Sequence, residues 1–319
     1  MTPTSDSPRG TAFAAPHATV HGPRGALAHG DSPGPARRST AASASTGAQG
    51  LVEEPLTVPD ALRPWFAGVG FASVDEDRGG PFTHVPDAAT KLVFRVDGSD
   101  GPEVLVVGPR TRASYHAAKR PASCVELRLG PGATRPLLGV PAVDLVGRIA
   151  RLGDFPSATA RLLAKEVVRP ERGQVVPRLA DALRKWPPPD DPARSGLLRA
   201  AVAAMSTDPD TGRFPSGVRE LAHRLAVSER QLRNLFADGV GVSPKHYARI
   251  ARVRRVLTHA HRSPDTPWAQ LAASTGYYDQ SHMTADFRAL MGVPPTAFFT
   301  GRLPPARPCQ AYASARVPG

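Results

Sequence analysis

The sequence predicts an α+β protein: a small β-rich N-terminal domain followed by an all-α domain of two helix-turn-helix units joined by a linker helix. Three observations lead there. First, the stretch from Val218 to Phe299 states one apolar pattern twice. Val218, Leu221 and Ala222 recur as Trp268, Leu271 and Ala272, and Leu232, Phe236, Gly241, Val242, Pro244 and Tyr247 recur as Met283, Phe287, Gly292, Val293, Pro295 and Phe298. Two copies are too few for a solenoid and imply paired modules. Second, the region between Lys91 and Leu129 breaks into short apolar runs punctuated by Asp97-Gly98, Gly108-Pro109 and Gly130-Pro131-Gly132, the spelling of strands and turns. Third, 319 residues are enough for two cores.

Residues 1–50 are rich in Pro, Ala, Gly, Ser and Thr and almost lack bulky apolar side chains, so a disordered tail is expected there, with Arg37-Arg38 as solvated charge. A β-rich domain is expected over 51–170. Lys91–Val96 and Val104–Val107 stand within hairpin reach, and Cys124–Leu129 alternates in and out, as a strand with one wet face does. Ala142–Ile149 and Ala158–Val168 read as short helices. Cys124 and Cys309 are the only cysteines, too far apart for a disulfide framework or a four-thiolate metal site, and Cys124 reads as a buried small hydrophobe.

A helical linker is expected over 171–197. Gln174–Trp186 and Pro192–Met205 carry apolar stripes (Val175, Leu179, Leu183; Leu197, Leu198, Val202) on either side of Pro187-Pro188-Pro189, a linker run. Those stripes suit packing within the chain and self-association as a homodimer equally well.

The paired helical modules are expected over 198–301. In the first, Ser216 can cap a helix with Val218, Leu221, Ala222 and Leu225 inward. Ser228 and Gln231 have capping-box spacing for the next helix, which buries Leu232, Leu235 and Phe236. In the second, Thr266 is placed as cap with Pro267 at the first helical position, Gly276 at the turn, Asp279 as the next cap, and Gly292 as the stop. Ser243-Pro244 opens the joining helix. Residues 302–319, Pro-rich and aperiodic, are expected to form a second disordered tail.

Charge narrows the function. The net charge is +12 and the pI near 10.6, which points to an anionic partner. Between Arg213 and Arg262 eleven Lys and Arg face three acids, the surplus that phosphate neutralisation needs. No apolar run approaches the length of a membrane span and the N-terminus lacks a signal-peptide pattern, so a cytoplasmic protein is expected. Neither a nucleophile elbow, nor a phosphate-binding glycine loop, nor metal-spaced histidines occur, so no enzyme activity, cofactor or metal is expected; His84 with Asp87, and His116 with Lys119, are only local polar pairs.

The run Gly276-Tyr277-Tyr278-Asp279-Gln280-Ser281-His282-Met283, then Phe287, then Gly292-Val293-Pro294-Pro295 before Phe298, resembles the C-terminal signature of AraC/XylS-family transcription regulators over roughly the last third of the chain. Tyr277 stands at the family's usual aromatic position, and Met283 at its usual Phe. Ala285 is short where many members carry a long polar reader. The stretches around His84–Asp87, Gly108–Thr111 and Arg128–Ala133 are similar to an uncharacterised domain preceding this module in many regulators, which implies a sensor-like place and no particular ligand.

The resemblance implies sequence-specific binding of double-stranded promoter DNA, with an effector acting through the N-terminal domain. It assigns base reading to Arg230, Arg233 and Asn234 in the first module and to Gln280, Ser281 and Thr284 in the second, because Arg pairs naturally with guanine and Asn with adenine in the major groove. Ser228, Lys245, Arg249 and Arg252 are expected on phosphate, setting register without reading sequence. His282 either approaches phosphate or caps its own helix turn. A non-specific DNA-compacting protein, or an enzyme anchored to DNA by its basic half, stand as alternatives.

Overall fold

The computed structural model describes residues 51–74, 82–95, 103–117, 123–166, 173–186, 192–206 and 217–307, all within one compact unit spanning 42–319. The tail 1–50, the Pro187–Pro189 run, Lys119, Ser216 and Cys309 lie outside the described residues.

The β-rich part is a six-stranded antiparallel sheet of β1 (Leu51–Leu56), β2 (Phe66–Val74), β4 (Lys91–Arg95), β5 (Val104–Val107), β7 (Ser123–Leu129) and β8 (Ile149–Arg151), in the order β1-β2-β7-β4-β5-β8. A separate two-stranded ribbon pairs β3 (Phe82–His84) with β6 (Ser114–His116). The expected hairpin is β4 against β5, with Lys91 opposite Val107, and the expected third strand is β7. Along β7, Val125, Leu127 and Leu129 are buried while Glu126 and Arg128 are half-exposed, the alternation of a one-faced strand. Cys124 is half-buried, more open than the sequence predicts.

Two local expectations change. Ala142–Ile149 is not a single helix: a 3₁₀ turn covers Ala142–Leu145, and Ile149 starts β8 on the sheet edge. Pairing with Val107 offers the backbone of Ile149 a ladder that an isolated short helix cannot match. Residues 302–307 also have a place, since Arg307 N–H donates to the Tyr115 carbonyl and Ala117 N–H to that of Arg307, adding this segment to the β6 edge.

Helix α1 (Thr134–Leu138), α2 (Ala158–Glu166) and α3 (Val175–Arg184) close over one face of the sheet, and α3 contributes Val175, Leu179 and Leu183 to the same core as Phe66, Leu92, Phe94 and Leu127. Helix α4 (Pro192–Ser206) goes the other way, sending Leu198, Ala201 and Met205 into the helical core. The α3 stripe is thus buried within the chain, and of the α4 stripe Leu198 is buried while Leu197 and Val202 are half-buried against the helical core. Among the described residues no helix is long and apolar enough to cross a membrane.

The helical core is built from α5 (Val218–Arg224), α6 (Glu229–Gly239), α7 (Pro244–Arg262), α8 (Trp268–Ser274), α9 (Gln280–Met291) and α10 (Pro295–Phe299). Leu221, Ala222, Leu232, Leu235 and Phe236 of the first module, and Leu271, Ala272, Met283 and Phe287 of the second, are all buried. Full burial of a side chain such as Phe236 stabilises by about 1.5–3 kcal/mol. Ile250, Val253, Val256 and Leu257 run down α7 and weld both modules into one core.

Candidate nucleic-acid interface

The interface is built from two helices whose starts are fixed by side chains. Ser228 Oγ accepts the Gln231 amide at 3.1 Å, and the Ser228 amide donates to Gln231 Oε1 at 2.9 Å, so the expected capping box is formed at α6. Asp279 Oδ1 accepts the His282 amide at 2.7 Å at the start of α9, and Ser243 Oγ accepts the His246 amide at 3.2 Å at the start of α7, with Pro244 at its first position. The cap of α8 is Pro267 rather than Thr266: its extended backbone precedes the helix, so the proline stands one position before the first turn. Gly217 caps α5 without a side-chain bond.

With their apolar sides inward, α6 and α9 leave matching polar surfaces in solvent. Arg230, Arg233 and Asn234 are exposed on α6; Gln280 and Ser281 are exposed and Thr284 half-exposed on α9. Gln280, Ser281, Thr284, Ala285, Arg288 and Ala289 line an open groove along α9. Arg288 belongs to this face although the sequence reading passed over it; its spacing of four from Thr284 and eight from Gln280 was the available signal. Tyr278, at 95% exposure, stands just before the α9 cap, whereas Tyr277 is buried beneath the Arg252 guanidinium, 5.0 Å from ring centre to Cζ. Arg233 Nη2 meets Glu229 Oε2 at 2.7 Å, a surface pair worth under about 1 kcal/mol and therefore easily exchanged for another acceptor.

The basic helix α7 is used differently from the expectation. Lys245 is exposed, but Arg249 and Arg252 turn inward: Arg249 Nε donates to Asp286 Oδ1 at 2.7 Å and Arg252 Nη2 to Asp286 Oδ2 at 3.2 Å. The two arginines expected on phosphate thus hold α7 to α9. Asp286 sits on the buried side of α9 between Met283 and Phe287, and a buried carboxylate needs such donors. His282 turns its ring toward the same place, edge-on to Tyr277 at 5.2 Å and with Nε2 3.9 Å from Asp286; it is the His282 amide, not its ring, that takes part in capping.

Arg255 donates toward the Thr275 and Met205 carbonyls, both at 3.4 Å, and burial pushes its pKa down to about 10, still charged at neutral pH. Much of the positive surplus in this segment is therefore structural, and among the described residues the solvent-facing share lies on α5, α6 and the two ends of α7.

Residues 221–301 match a family model described as a helix-turn-helix domain. The C-terminal part of the chain is thus a helix-turn-helix domain. No curated protein sequence matches the chain. Among solved structures, ToxT from Vibrio cholerae at 1.65 Å resolution is 10% identical, with 79% of this chain and 98% of that one covered at a TM-score of 0.37. A structure of ToxT from Vibrio cholerae bound to an unsaturated fatty acid is 12% identical, with 82% and 99% covered at a TM-score of 0.35.

Proposed function

We propose that the chain recognises a two-part promoter site in the cytoplasm, α6 entering one major groove with Arg230, Arg233 and Asn234, and α9 entering the next with Gln280, Ser281 and Thr284, joined by Arg288. The observation that carries this reading is that the two surfaces are exposed at equivalent places on two side-chain-capped helices of one core. Helix α7 has 19 residues, so it is about 28 Å long, comparable with the roughly 34 Å between successive major grooves on one face of the duplex. Ser228 at the α6 N-terminus and Lys245 at the start of α7 are placed to meet phosphate, the former helped by the positive end of the helix.

Arg233→Ala should cost about 1–3 kcal/mol at one guanine and relax preference there, whereas Lys245→Ala should weaken all sequences alike and flatten the salt dependence. Titrations against an enriched duplex and a scrambled one at two salt concentrations separate the two effects. A uniform loss for both variants would remove Arg233 from the readers. Equal affinity of the native protein for both duplexes would favour non-specific compaction. No catalytic role is assigned to the β domain. As a sensor it would need a ligand that binds one arrangement of its contacts with the helical half better than another.

A further inference from the structure

The β domain holds the rear ends of both reading helices. At the end of α6, Gly132 N–H donates to the Gly239 carbonyl at 3.1 Å. Beside it Asp238 accepts from Arg135 Nε at 2.7 Å and from Arg194 at 3.4 Å. At the end of α9, Ala113 N–H donates to the Leu290 carbonyl at 2.8 Å, and the Tyr115 hydroxyl to the Met291 carbonyl at 2.5 Å. Between them, on α7, Arg254 Nη1 donates to the Pro86 carbonyl at 3.2 Å and lies 3.7 Å from the Asp87 carboxylate.

These contacts are directional and close. The last carbonyls of a helix have no partner within it, so donors supplied from another element fix where that helix end points. Burial pushes the Tyr115 phenol up to about 12, so it remains a donor throughout the working pH range. At α6 the approach is tight enough that a Cβ on Gly239 would fall 2.3 Å from Leu198 Cδ2 and 3.1 Å from the Gly132 Cα, and one on Gly241 would fall 2.7 Å from the Ala142 carbonyl oxygen.

We propose that the β domain is a brace which sets the angle and separation of α6 and α9, so that Gly132, Arg135, Ala113 and Tyr115 are positioning residues for the half-site spacing the protein accepts. This rests on reading α6 and α9 as the recognition helices. The brace acts without touching DNA: all four residues sit at the helix ends opposite the caps Ser228 and Asp279. The shared core along α7 holds the modules together, while the brace removes the remaining freedom of each helix to pivot about that core.

The test uses the full chain and a duplex enriched from a random-sequence pool by the purified protein, rebuilt with one or two base pairs inserted or removed between its half-sites. Tyr115→Phe loosens the α9 end, Arg135→Ala the α6 end, and Gly239→Ala wedges the α6 end away from the β domain as an independent variant. Each is compared with the native chain after thermal melting confirms a cooperative transition. The expected result is a spacing preference reduced roughly threefold to tenfold for Tyr115→Phe, the range for losing one buried hydrogen bond, and by a smaller factor for Arg135→Ala, whose bond to Asp238 is exposed, or displaced to a new optimum, with affinity for an isolated half-site unchanged. An unchanged spacing profile, whether or not affinity falls uniformly, would overturn the brace. So would a native chain indifferent to spacing, even if Arg233→Ala still lost its guanine preference. Failure to enrich any duplex would instead overturn the two-groove reading, and the brace with it.

Discussion

Asp87 shows how a residue that reads as loop polarity becomes a structural centre. It is 6% exposed, accepts both Arg128 amino groups at 2.7 and 2.8 Å, and lies 3.3 Å from Lys91. Burial alone would raise its pKa, but Arg128, Lys91 and Arg254 together hold it well below 3.8. A carboxylate with a depressed folded pKa contributes stability that is present above 3.8 and lost as pH falls through the folded value. His246 works on the same axis from the opposite sign. Burial, with Arg249 next in effect, lowers its pKa beneath 6.5, so the folded state binds fewer protons and stability declines as pH drops below 6.5. Denaturant melts from pH 7 downward should therefore show a first decline below 6.5, absent in His246→Gln, and a second, steeper one in the carboxylate range, reduced in Asp87→Asn. At neutral pH Asp87→Asn should cost about 2–3 kcal/mol, the low side of a broken buried pair, because the Arg128 side chain keeps 37% of its surface in water. Neither role was legible in the sequence. Asp87 and Arg254 stand 167 positions apart, and nothing local marks them as neighbours. Asp286 was legible in principle: an acid between Met283 and Phe287 on a core-facing stripe requires cationic partners, and the structure supplies them from Arg249 and Arg252, the two arginines expected on phosphate.

The helices of the two modules were legible because the physics that makes them is local. Side-chain caps and stripes at helical spacing act within a few residues, and the structure keeps them at α6, α7 and α9, with the stop glycine Gly292 after α9. The turns repeat as well. Gly276 has φ +84° between α8 and α9, and the equivalent Ala226 between α5 and α6 has φ +53°, the one non-glycine with positive φ among the described residues. A left-handed alanine costs about 1 kcal/mol against glycine, so Ala226→Gly should raise the stability of the folded chain by up to that amount, less the entropy glycine adds to the unfolded state. Chemical denaturation would read the shift, and a loss instead of a gain would mean the Ala226 methyl group contributes packing beyond its strain. Strand β2 escaped the sequence reading because Gly68 and Gly70 interrupt its apolar run and a bulge between Phe66 and Gly68 shifts its register with β7. Its identity depends on partners distant in sequence, as β pairing generally does.

At the scale of the molecule, the sequence announces two halves and the structure joins them. The helical core takes in Ala88 from the β-rich half, with Val85, Ala113 and Val146 packed against it. Helix α3 buries its stripe in the sheet core, whereas α4 sends Leu198, Ala201 and Met205 into the helical core, so the two helices belong to different cores. Thermal unfolding of the full chain should accordingly follow one transition by both near-ultraviolet dichroism and tryptophan fluorescence, since Trp65 reports the sheet core and Trp268 the second module. Two resolved transitions would show that the contacts at the rear of α6 and α9 are too weak to couple the halves. After the second module the chain lies against β6, where Arg307 pairs with the backbone of Tyr115 and Ala117, so the helical half is tethered to the ribbon both by the Tyr115 hydroxyl at the end of α9 and by its own following segment. A helical half tied in this way moves with that ribbon and needs no long-range wire, simply because the lever and the fulcrum are one piece.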